Sequence, residues 1–346
     1  MKRKILPYIF ILVTFLSCRK TTAVTEDELY PMSFSPNTER ISSEKRASAG
    51  DNVVSTTNST LINKPFGVFG IYSDEEGSSN GTSVFPSSEA QEVGYTGGKW
   101  TYSPLQYWHI NDFYRFRAYH PYSGGAITVT HTDSNADRIV IKYAMEAGKE
   151  DLLVGFNAVK ADINTIKQRV PITFKHALCA LRFKIAFKNA PEIEDDFTDR
   201  LTEFHLSGII PTATLLYTSE KDNRLTDIID WQTEYAYFDN GEYFKWTGNK
   251  EFGKYDGSNA VNIFDGTENM VFAIPQTCSS SEEKKTTLSF KTEKAGDAIH
   301  IIKMPTEEWK PGKIYTYTLL INASFVDLEL TIKDWKEVQS NEDLYI

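Results

Sequence analysis

Residues 170–187 read VPITFKHALCALRFKIAF. From Cys179 onward the apolar side chains take every second position, Cys179, Leu181, Phe183, Ile185 and Phe187, with Arg182 and Lys184 between them. A period of two marks a strand with one buried face. Upstream, Ile172, Phe174, His176 and Leu178 alternate in the opposite phase, so the register flips between Leu178 and Cys179. A one-residue slip sends every side chain to the other face, and the flip therefore requires either a bulge or a change of sheet.

Outward from this stretch the same short-strand texture continues. Phe66 and Val68 alternate with Phe69 and Ile71, a run apolar on both faces and expected at the centre of a sheet. Further strands are expected at 113–119, 126–130, 138–143 and 151–156, with a polar connector at 161–169. Beyond the central stretch they are expected at 201–210, 213–218, 235–238, 243–246, 270–276, 287–292, 313–323 and 327–333, with Pro311-Gly312 forming a turn. No stretch before residue 165 keeps a helical period over three turns. Many short strands at close intervals in a chain of 346 residues predict an all-β protein of two sandwich domains.

The N-terminus has a different character. Lys2, Arg3 and Lys4 precede an apolar run at 5–16 that is too short to span a bilayer, and Ser17-Cys18 follows directly. The segment reads as a secretory signal. Its end resembles the lipobox of bacterial lipoproteins, which implies acylation of the Cys18 thiol, cleavage just before it, and anchoring to a membrane without a spanning helix. An ordinary signal peptide with an incidental Cys18 is the alternative. Loss of three positive charges takes the formal net charge from −10 to −13, a balance that argues against nucleic acid as a partner. Residues 19–49 are mostly polar around one apolar island, Leu29-Tyr30-Pro31-Met32-Ser33-Phe34, and read as a tether carrying one strand. Arg46-Ala47 then sits among Ser, Ala and Gly, open to a trypsin-like protease or simply solvated.

Little in the chain points to catalysis. There is no Cys-x-x-Cys and no His-x-x-x-His pair, and the six His residues are scattered singly, so no cofactor or metal is expected. His176 and Cys179 stand three apart, a spacing that on a strand places them on opposite faces and leaves the base without an orienting third group. Cys179 and Cys278 either pair or, as the apolar strand around Cys179 favours, stay as buried thiols. Trp100, Tyr102, Tyr107 and Trp108 suit a sandwich core better than a sugar-stacking platform, and both readings stay open at this point.

Taken together, several blocks carry a resemblance. They are Phe66-Gly-Val-Phe-Gly, Trp100-Thr-Tyr-Ser-Pro-Leu-Gln-Tyr-Trp108, Phe116-Arg-Ala-Tyr-His-Pro-Tyr122, Phe174-Lys-His-Ala-Leu-Cys-Ala-Leu-Arg-Phe183, Phe272-Ala-Ile-Pro-Gln276, Trp309-Lys-Pro-Gly-Lys-Ile-Tyr-Thr-Tyr-Thr-Leu319 and Thr331-Ile-Lys-Asp-Trp335. In this order they resemble the fimbrillin family, the lipoprotein pilins of Bacteroides-like bacteria. The resemblance implies two tandem transthyretin-like Greek-key β-sandwich domains and no enzymatic activity. It also implies subunits of surface fimbriae at the cell outer membrane, serving adhesion and biofilm growth.

It implies partners as well: other pilin subunits, an arginine-specific protease, and host or bacterial surface ligands. The protease would cut at Arg46-Ala47, with Arg40 as second candidate, and so remove the strand carrying Leu29, Tyr30, Met32 and Phe34. A donor strand would come from the C-terminal region, where Leu328, Leu330, Ile332, Leu344 and Ile346 are placed. The competing reading is a monomeric surface lipoprotein that binds glycans. The expected division is a signal peptide at 1–17, a lipidated tether at 18–49, a first sandwich at 50–168 and a second at 169–346. On that division the 170–187 stretch opens the second sandwich, and His176 is a packing residue.

Overall fold

The computed structural model describes residues 30–38, 61, 63–76, 81–86, 89–130, 138–144, 150–219, 227–232, 242–264, 270–278, 285–322 and 325–335. The architecture is all-β. With strands numbered in chain order, one sheet runs β1 (Phe34–Thr38), β10 (Val170–His176), β9 (Leu153–Lys160), β6 (Phe113–His120), β2 (Phe66–Ser73), β4 (Gln91–Thr96) and β5 (Lys99–Thr101), with β3 (Thr82–Ser83) also on β2. A second runs β16 (Val261–Asn262), β11 (Cys179–Phe187), β20 (Lys313–Ile321) and β21 (Val326–Asp334), with β17 (Val271–Ala273) on β11. A third runs β15 (Glu242–Phe252), β12 (Asp199–Ser207), β18 (Thr287–Thr292) and β19 (His300–Lys303). The fourth runs β14 (Asp227–Gln232), β13 (Thr212–Ser219), β8 (Arg138–Ala144) and β7 (Ile127–Thr130).

The register flip at Leu178 and Cys179 is a change of sheet. β10 ends at His176 in the first sheet, and Ala177 N–H still donates to Leu152 O at 2.8 Å. Leu178 O already accepts from Gly312 N–H at 2.9 Å, and β11 then runs in the second sheet. Both phases of the sequence pattern are thereby buried. β11 lies parallel to β20 with Leu181, Phe183 and Ile185 opposite Tyr315, Tyr317 and Leu319. Matching alternation locks this pair, since slipping it by one residue would bury Lys184 and Thr316 instead.

Two elements differ from the expectation. β10 is part of the first sheet, paired to β9 and β1, so the chain leaves that sheet only after His176. The fourth sheet joins β13 and β14 to β7 and β8, so strands from both sides of residue 168 share one ladder. The first strand is Phe34–Thr38, with residues 31–33 leading into it rather than forming it. The expected strand at 235–238 lies outside the described residues.

β2 is central, as its two apolar faces require. Phe66 and Val68 look into one core, with Phe116, Tyr114, Leu153, Ile172 and Phe174 of the neighbouring strands. Phe69 and Ile71 look into a second, larger core that continues through the fourth sheet into the second and third. Between the second and third sheets Phe183 meets Phe204 at 5.0 Å and Phe187 meets Phe252 at 4.8 Å. The first core has a different cover: loop and hairpin residues Leu61, Val84, Phe85 and Trp108, together with Met32 and Phe34.

Candidate assembly site at the first strand

Phe34 sits at the start of β1 on the outer edge of the first sheet. Its ring meets Phe66 at 6.2 Å, Tyr102 at 5.7 Å and Phe116 at 5.5 Å, two of the three contacts edge-on. Such geometry lets ring edges meet ring faces and adds to the gain from burial. Met32, two residues earlier, is buried to 2% exposure. Full burial of these two side chains is worth about 1.5–3 kcal/mol each.

The backbone of this segment is held from both sides. On one side β1 pairs in parallel with β10, Phe34 opposite Val170 through Thr38 opposite Phe174, and Val170 N–H donates to Ser33 O at 2.7 Å. On the other, Met32 N–H donates to Gln106 O at 2.8 Å, Trp108 N–H donates to Tyr30 O at 3.4 Å, and Pro31 bridges Tyr107. Tyr102 ties the two together, its hydroxyl donating to Met32 O at 3.1 Å and accepting from Gln106 N–H at 3.3 Å. Burial raises the Tyr102 phenol above its usual range, against the lowering effect of the Gln106 amide, and so keeps the proton it donates. Tyr30, at the mouth, is partly exposed beneath the Lys167 ammonium. The segment therefore fills a slot with an aromatic floor, residues 30–32 held by the backbone of 106–108 and residues 33–38 by β10.

At the other end of the chain, Leu328 and Leu330 are half-buried in β21 and Ile332 is exposed. Cys18, Leu29, Arg40, Arg46, Ala47, Leu344 and Ile346 lie outside the described residues. Sequence reasoning missed two contacts that matter here, Tyr102 on Met32 O and the stacking of Trp335 on His176 at 3.6 Å. Both join residues far apart in the chain, and no local pattern announces them.

The His176 and Cys179 pair does not form. His176 Nδ1 bonds Asp151 Oδ2 at 2.8 Å in the first sheet, whereas Cys179 Sγ donates to Ala273 O at 3.2 Å in the second. Cys179 and Cys278 are both free, buried thiols, and desolvation raises both above the ordinary thiol range. The aromatic cluster is mostly core. Trp108 is buried against Tyr114 and Phe116, Trp100 packs on Phe66 at 5.3 Å, and Tyr102 on Phe34, which leaves Tyr107 as the exposed ring of the four. A four-ring sugar platform is thus not present. Among the described residues no cluster of three His, Cys, Asp or Glu could hold a metal, and no helix is long and apolar enough to cross a membrane.

Comparison with known proteins agrees with this architecture. The fold matches that of a fimbrial protein from Bacteroides vulgatus, at 19% identity over 88% of this chain and 99% of that one, with a TM-score of 0.58. It also matches a candidate cell adhesion protein from Parabacteroides distasonis, at 8% identity over 90% of this chain and 98% of that one, with a TM-score of 0.54. No curated protein matches the chain. The fimbrillin-like family model matches residues 53–335, and the chain belongs to that family.

Proposed function

We propose that this protein is a pilin-like subunit of cell-surface fimbriae that assembles by exchange of its first strand. In this reading it is exported as a lipoprotein acylated at Cys18, held at the outer membrane by lipid alone, and processed at Arg46-Ala47. The cut frees the segment carrying Leu29, Tyr30, Met32 and Phe34. A strand of another subunit takes its place, and the polymer serves adhesion and biofilm formation.

The observation that carries the reading is the slot. Residues 30–38 close an aromatic core while bonded through 30–32 to the backbone of 106–108 and through 33–38 to β10. Withdrawing them uncovers Phe66, Tyr102 and Phe116 and leaves the outer edge of β10 unpaired. Both deficits are met by an extended chain with apolar side chains at alternate positions, the mode known as β-augmentation. The C-terminal region, with Leu328, Leu330, Ile332, Leu344 and Ile346, is the proposed donor. Nothing in the described geometry favours a catalytic role.

The test is electrophoresis without boiling, before and after an arginine-specific protease. A ladder that appears only after cleavage, and not for Arg46→Ala, is the expected result. A monomer that persists after cleavage counts against assembly by strand exchange.

A further inference from the structure

β21 is held with little burial. None of its residues is fully buried, Ile332 is 45% exposed, and its outer edge has no partner strand among the described residues. Lys188 pairs with Asp327 and Lys313 with Asp334, but these ions are more than a third exposed and contribute little. Trp335, immediately after the strand, is different. It is buried to 6% exposure, its ring stacks on His176 at 3.6 Å and on Phe272 at 5.2 Å, and its backbone N–H donates to Gly312 O at 2.8 Å.

Two features make this seat releasable and connected. The indole Nε1 is buried with no hydrogen-bond partner among the described residues. That penalty disappears when the ring enters water, so undocking regains part of its cost. His176 is the last residue of β10, and Val170, Ile172, Phe174 and His176 share one buried face of that strand. The same β10 pairs with β1 from Val170 to Phe174, two residues short of the Trp335 seat. If β1 leaves, β10 becomes an edge strand, and edge strands open more readily.

We infer that Trp335 is a latch on the C-terminal strand and that β10 links it to the N-terminal strand, so that departure of β1 eases release of β21. The inference rests on the reading that β1 leaves, and it adds an order of events: the slot opens before the donor comes free. A released β21 presents Leu328, Leu330 and Ile332 at alternate positions, the pattern the slot accepts.

Hydrogen exchange on the full chain tests it. Trp335→Ala is expected to speed exchange of the β21 amides at least about tenfold while leaving β12 and β18 unchanged. Trp335→Phe, which keeps the stack and removes the unmet N–H, is expected to exchange no faster than the parent. Met32→Ala with Phe34→Ala is expected to speed β21 several-fold, and to add little in the Trp335→Ala background. Should Trp335→Ala fail to fold, His176→Ala removes one wall of the seat and His176→Phe restores a ring, and β21 must follow that difference. Unchanged β21 exchange in Trp335→Ala, or in the β1 double variant, overturns the proposal. Absence of a ladder after protease cleavage, with the exchange pattern intact, would instead strike at strand departure and leave the link through β10 standing.

Discussion

At the scale of single residues, the positions that first suggest chemistry turn out to be structural. His176 is fixed between Asp151 and Trp335, and Cys179 is walled in by the second core. His120 makes a sharper case. It ends β6 facing the first core at 4% exposure, and desolvation lowers its pKa from 6.5 to about 4, only partly opposed by Asp151 and Glu150 and reinforced by Lys64. The fold therefore holds the neutral ring. As pH falls, the unfolded chain binds this proton first, so the stability His120 contributes is complete above pH 6.5 and is lost progressively towards about pH 4. Over that window the loss amounts to about 3 kcal/mol. Urea denaturation across the range should give a shallower pH dependence for His120→Asn than for the parent. Parallel curves would mean that the ring is solvated.

At the scale of elements, β1 contributes more than its length suggests. It supplies Phe34 to the first core from an edge position where a strand is ordinarily half exposed. Phe34→Ala should destabilise the protein by about 3–5 kcal/mol, the usual cost of an emptied aromatic site. Equilibrium unfolding measures this, and a loss under about 1 kcal/mol would show that the slot collapses around the gap. Elements were unevenly legible. The strands at the centre of sheets, β2, β11 and β20, have the strict alternation or double apolar faces that burial demands. The strands β14, β16 and β19 escape such a reading and lie at sheet edges, whereas the edge strands β7 and β21 keep enough apolar alternation to be read. An edge strand buries little, so its sequence is under weak constraint.

At the scale of the whole molecule, strand pairing ignores a simple division by chain position. The fourth sheet couples β8 to β13, and Arg117, buried in the first sheet, lies over the Phe156 ring at 4.8 Å and the Tyr217 ring at 5.5 Å, so that it reaches from β6 to β13. Residues 50–168 expressed alone should therefore lack a cooperative thermal transition by circular dichroism, having lost both β10 and the β13 side of that ladder. A sharp transition would support the division at 168. What the sequence by itself determined was the all-β class, the flip at Leu178 and Cys179, and the apolar island at 29–34, because pattern along one segment depends only on which of its faces is dry. Which sheet each phase of residues 170–187 joins, that Met32 is held by Gln106 and Phe34 by β10, and that Trp335 rests on His176 were decided by tertiary structure. These depend on residues far apart in the chain meeting in space, and no local pattern encodes such a meeting.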